Sequence, residues 1–92
     1  MKQYLKLSPY AVKRYESTLE TYFFYNAKNK TFWETDYPTG AVVAALDGSL
    51  TKTEVYRILS ENNPEIPLEE IREKFDETFD FLIKEGFISY AD

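Results

Sequence analysis

The chain contains no cysteine and no histidine. The first absence removes disulfides, thiolate metal ligands and cysteine nucleophiles together. The second removes the side chain most used as a general base, as a metal ligand and as a charge switch near neutral pH. Glycine is scarce too. Gly40, Gly48 and Gly86 are scattered, each suits a helix end, and none builds a loop that cradles phosphate. No apolar run approaches the roughly 20 residues that a membrane-spanning helix needs. The opening MKQYLKLSPY has no signal-peptide core either. These absences lead to the expectation of a cytoplasmic protein, away from membranes, with no metal and no cofactor. In that setting Asn29-Lys30-Thr31 is hairpin-turn chemistry rather than a glycosylation acceptor.

What is present is a core. Hydrophobic residues make up 43% of the 92 residues and aromatic residues 17%, enough for one domain over residues 1–92 without staples. The net charge of −5 is unevenly placed. Residues 1–46 carry six basic and four acidic side chains, a balance of +2. Residues 47–92 carry five and twelve, a balance of −7. A polyanion such as DNA would be repelled by that second half.

Taken in order, Tyr4-Leu5-Lys6-Leu7 alternates weakly before Ser8-Pro9, and another copy of the chain could pair with it. Tyr10–Glu16 reads as a first strand. Glu20–Tyr25 is the strongest strand, rich in aromatics. A polar turn at residues 26–30 leads to a returning strand at Thr31–Glu34. Pro38 predicts a turn over Asp36–Thr39, with Asp36 or Thr39 available to cap a buried apolar helix at Ala41–Leu46. Asp47-Gly48 stops that helix. Thr51 and Glu54 have capping-box spacing, and Val55, Ile58 and Leu59 follow at helical intervals. Pro67 opens a third helix that runs to Gly86, where Phe87 can fold back on Leu82. The predicted fold class is α+β: a three-stranded antiparallel sheet followed by three helices.

Little in this pattern points to catalysis. Glu34 and Asp36 could form an acid–base pair, or one could cap a helix while the other faces water. The carboxylates of the last helix read as a solvated face. A helix pack beside a hairpin also suggests a winged helix on DNA. However, the last helix sets Arg72, Lys74 and Lys84 against seven acidic residues, the wrong footprint for a groove-reading helix.

A binding edge remains. The outer strand of a small sheet presents unpaired N–H and C=O groups, and a peptide can join it as one more strand. If Thr31–Glu34 is that edge and lies beside the last helix, the two form a groove. Candidate peptide-binding residues are Thr31, Phe32, Trp33, Glu34 and Thr35 on the strand. On the helix they are Arg72, Phe75, Asp76, Phe79 and Ile83. Trp33, Phe79 and Ile83 also suit a plain core, and either Phe32 or Trp33 could face the groove.

The order of these pieces resembles the PqqD-like family. The matching stretches are Ala41–Gly48, ending Leu46-Asp47-Gly48; Thr51–Val55; and Phe79, Leu82 and Gly86-Phe87-Ile88. Together the likeness spans roughly residues 10–89. The strand-to-helix turn, Trp33–Gly40, departs from it by one extra residue. The resemblance implies a winged-helix-like, stand-alone recognition element for a ribosomally synthesised and modified peptide. It implies no catalysis, a precursor leader as partner, and delivery to a modifying enzyme, a radical S-adenosylmethionine maturase. A nucleic-acid binder and an edge-strand dimer stand as alternatives, so monomer and homodimer both remain open.

Overall fold

The computed structural model describes residues 3–91. Nine elements follow in order: β1 (Tyr4–Leu7), β2 (Ala11–Glu16), β3 (Thr21–Asn26), β4 (Thr31–Asp36), α1 (Tyr37–Ala44), β5 (Asp47–Thr51), α2 (Lys52–Asn62), α3 (Leu68–Lys84) and β6 (Ile88–Ala91). The α+β class holds, but the single expected sheet becomes two three-stranded antiparallel sheets, ordered β5-β1-β6 and β2-β3-β4. The strands absent from the sequence reading are β1, β5 and β6, which together form the first of these sheets. They are short, and β1 lies far from both its partners in the chain. Leu5 pairs with Leu50 on one side and with Tyr90 on the other, so no local pattern announces them. Tyr4–Leu7 is therefore the central strand of its sheet, with both edges used inside the chain and none left for another copy. Leu5 is fully buried there.

The second sheet is the aromatic hairpin region. Its strands pair in simple register, with Phe24 opposite Lys13 on one side and Trp33 on the other. Side chains alternate across it. Tyr22, Phe24 and Asn26 point inward, and Phe24 is fully buried. Tyr15, Tyr22 and Tyr37 form a ring cluster at one end, with centroids 4.9–6.0 Å apart.

The first helix starts earlier than expected. Asp36 is its N-cap, accepting a bond from the Thr39 N–H at 3.0 Å, and Pro38 sits in the first turn. Proline breaks a helix interior but is tolerated in the first turn, where the N–H has no intrahelical partner. Gly40 is no helix end. It lies inside α1, where an added Cβ would come within 2.2 Å of the Tyr22 Cβ. Its lack of a side chain lets α1 lie directly on β3. Lys13 then donates from β2 to the Ala44 carbonyl at 2.9 Å, closing the C-terminal end of α1.

The later helix ends follow the sequence closely. Thr51 and Glu54 form a reciprocal capping box, with the Glu54 N–H donating to Thr51 Oγ1 at 3.2 Å and the Thr51 N–H donating to Glu54 Oε1 at 3.0 Å. Pro67 is the N-cap of α3 rather than its first residue. At the other end Gly86 takes a φ of +75°. The Phe87 N–H reaches the Leu82 carbonyl at 2.8 Å, and the Gly86 N–H reaches Ile83 at 3.1 Å. That is a Schellman motif, and it turns the chain straight into β6. The core gathers Leu5, Phe24, Val43, Val55, Leu59, Ile71, Phe79, Leu82, Phe87 and Ile88 from both sheets and all three helices.

Candidate functional site

Among the described strands β4 pairs only with β3, so it is an edge. In an antiparallel pair, alternate residues aim their N–H and C=O groups away from the partner. The free side of β4 is thus a row of backbone donors and acceptors.

Its side chains divide by parity. Thr31, Trp33 and Thr35 are half-buried on the inner face, whereas Phe32, Glu34 and Asp36 are exposed on the outer one. Trp33 is therefore the aromatic residue that turns toward the helices. Its ring packs on Phe24 at 5.2 Å and on Phe87 at 6.5 Å. Phe32 turns away and rests against Phe23 at 5.8 Å.

Trp33 meets α3 across a shallow groove of about 300 Å³, whose other lining residues are Glu77, Thr78 and Phe81. A polar clamp fixes the two walls. Asn26 and Asn29, at the β3–β4 turn, both donate side-chain bonds to the Glu85 carbonyl at the end of α3, at 2.9 and 2.7 Å. Thr31 Oγ1 donates to a Glu85 carboxylate oxygen at 3.4 Å. The Asn26 side-chain oxygen accepts the N–H groups of Lys28 and Asn29 at 2.9 and 3.2 Å. One buried asparagine thus shapes the turn and anchors it to the helix. The strand end at Asn26 is visible in the sequence, but its reach across to residue 85 is not.

The helix wall differs from the expected stripe. Phe79 is 1% exposed and packs at a tilt against Tyr56 of α2, ring centroids 5.6 Å apart. Asp76 accepts a short hydrogen bond from the Tyr56 hydroxyl and an ion pair from Lys52 at 2.9 Å. Both side chains face α2, not β4. Arg72 is exposed on the same side as Asp76 and helps hold its charge. Phe75 and Ile83 are half-buried against the core, with the Lys74 ammonium 5.8 Å from the Phe75 ring centre. The structure brings Trp33 together with Glu77, Thr78 and Phe81, and it leaves Asp76 and Phe79 on another face. One signal could have found Phe81: it is an apolar residue that falls off the Ile71–Phe75–Leu82 core stripe.

The electrostatics favour structure rather than chemistry at the α2–α3 contact. The Tyr56 hydroxyl and the Lys52 ammonium hold Asp76 below the usual carboxylate range. Burial, helped by Asp76, pushes Tyr56 up to about 12. For Lys52, burial opposes the charge, but the bonds to Asp76 and Tyr56 outweigh it and its pKa rises to about 12. Glu34 and Asp36 do not converge on a reaction site, since Asp36 caps α1 and Glu34 is exposed on the outer face. No helix among the described residues is long and apolar enough to cross a membrane.

No family model matches the chain, and no curated protein matches it. Among solved structures the fold is similar to that of TbiB1, determined in complex with the TbiA(beta) leader peptide. The TM-score is 0.73, over 95% of this chain and 99% of that one. The sequences are 12% identical, so the likeness is one of fold: the two-sheet, three-helix framework that sets β4 beside α3 is shared with a protein solved with a leader peptide bound.

Proposed function

We propose that this chain binds the leader segment of a ribosomally synthesised precursor peptide, as an added strand on β4, and presents the rest of that peptide to a modifying enzyme. It acts as a recognition element and does no chemistry of its own. The observation that carries this reading is the open edge of β4 beside α3, on a fold shared with a protein solved with a leader peptide bound. The backbone of Thr31–Thr35 supplies register, and Trp33, Thr78 and Phe81 receive an apolar leader side chain. Phe75, Phe79 and Ile83 support the helix from behind, and Asp76 holds it against α2 while Arg72 favours the charge of Asp76. The PqqD-like order of elements adds the expectation that the enzyme is a radical S-adenosylmethionine maturase. No observation favours nucleic acid, because among the described residues the groove is lined by Glu77 and by no lysine or arginine.

The test is calorimetric titration with a synthetic leader from the short reading frame nearest this gene. Binding in the nanomolar to micromolar range, about −8 to −12 kcal/mol, is expected. A proline scan should then show alternating losses, marking leader residues whose N–H groups bond to β4. Absence of binding at high micromolar leader, or losses without alternation, would refute strand addition.

A further inference from the structure

We propose that the outer face of the β2-β3-β4 sheet docks a second copy of this chain. The face is unusually apolar for a surface. Val12 is 59% exposed, Tyr25 39% and Phe32 58%, and Leu19 of the β2–β3 turn folds over the same face at 64%. A contiguous apolar patch of this kind marks an interaction surface.

The register sorts the face into three rows. Val12, Tyr25 and Phe32 stand side by side in the first. Arg14, Phe23 and Glu34 form the second, and Glu16, Thr21 and Asp36 the third. The first row is apolar, and the second is basic at one end and acidic at the other. Such a pattern complements itself. A two-fold axis along β3 lays Phe23 on Phe23 and Tyr25 on Tyr25. It sets Val12 of one copy against Phe32 of the other, and Arg14 against Glu34, twice. In the third row Glu16 would face Asp36; Asp36 caps α1, and Glu16 lies 3.4 Å from Arg14, whose guanidinium is then shared between Glu16 of its own copy and Glu34 of the other. The roughly 30° angle between packed sheets also spreads the ends of the interface.

Charge distribution favours this occupant over an unrelated one. The outer-face strand positions carry Arg14 against Glu16, Glu34 and Asp36, a balance of −2. The −7 of residues 47–92 lies with the helices behind the inner face. Face-to-face docking therefore keeps the two acidic halves on opposite outer sides, where repulsion is weakest. Docking also leaves the edge of β4 free, so the proposal does not depend on the peptide reading.

Three strands make a small interface, so a dimer in the micromolar range is expected. Sedimentation of the full chain from about 5 to about 500 µM covers that range. A reversible monomer–dimer equilibrium is expected. Val12→Lys should weaken it about tenfold or more. Arg14→Glu should weaken it as well, and Arg14→Glu with Glu34→Arg should restore it. Circular dichroism confirms that each variant is folded, and the exposed charge swap keeps the test valid if Val12→Lys is not. A wild-type chain that stays monomeric throughout would overturn the proposal. So would a dimer indifferent to Arg14→Glu, or one that the double swap fails to restore.

Discussion

The two long sides of α3 are built by opposite rules. The side toward α2 is closed. Phe79 is buried against Tyr56, and Asp76 is bonded to both Tyr56 and Lys52. The side toward β4 is open. Trp33 and Phe81 stand across a groove, and the polar contacts there gather at the far end, where Asn26, Asn29 and Thr31 hold Glu85. The closed side sets where the helix lies, and the open side is free to accept a ligand. The comparison teaches that one wall of a groove can be held rigid from behind and from its end while its face stays unfilled.

The sharpest way to break the comparison is to truncate the two phenylalanines in turn. Phe79→Ala empties a fully enclosed site and should cost about 3–5 kcal/mol of stability, a large share of a small domain's total. A urea titration would show the midpoint fall. Phe81→Ala removes a side chain that is 38% exposed and should move stability by less than about 1 kcal/mol. If the two midpoints shift equally, the two sides of α3 are not different in kind.

Next comes the clamp. Asn26 is buried and uses both ends of its amide. Asn26→Ala would leave the N–H groups of Lys28 and Asn29 without their acceptor and the Glu85 carbonyl with Asn29 alone, at a cost of about 1–3 kcal/mol. Because it also loosens the hold of β4 on the end of α3, leader affinity should fall together with stability. Thermal melts paired with calorimetry would separate this from a purely structural effect, in which affinity at low temperature is unchanged.

The groove itself is tested by affinity alone. Phe81→Ala should weaken the leader about tenfold, equivalent to about 1.4 kcal/mol, while the melt stays near that of the wild type. Unchanged affinity would mean that the peptide does not enter between Trp33 and Phe81.

These contrasts also explain what could be read from the sequence. The capping box at Thr51–Glu54 and the Schellman turn at Gly86 were legible because each closes within a few residues. The edge strand was legible because a hairpin ending in a proline turn leaves its last strand with one neighbour. The wall of the groove was not. Phe79 and Phe81 are both apolar and two residues apart, so they point to nearly opposite sides of a helix. Periodicity gives the spacing of a stripe but not which neighbour it faces. The same limit left Phe32 and Trp33 open, since their parity is set by Phe24 and by Phe87, far along the chain. β1, β5 and β6 were missed for a related reason: a strand of four or five residues is defined by its partner more than by its own pattern.

The smallest effect should come from the closed side's polar contact, and its pH dependence makes it diagnostic. Tyr56→Phe keeps the ring on Phe79 and removes only the hydroxyl that donates to Asp76. The acceptor is exposed and keeps its ion pair with Lys52, so solvent screens the bond and a loss smaller than those above is expected. The pKa of Asp76 is depressed in the folded chain, so its contribution is fully present above the unfolded value, about 3.9. It is lost as pH falls through the lower folded value. The gap between wild type and Tyr56→Phe in urea titrations should therefore be constant from neutral pH down to about 5 and close in stronger acid. A gap that persisted after Asp76 had been protonated would mean that the hydroxyl stabilises the closed side through something other than this carboxylate. The proposed leader site lies on the opposite side of the helix, so leader affinity should be equal in both proteins at neutral pH.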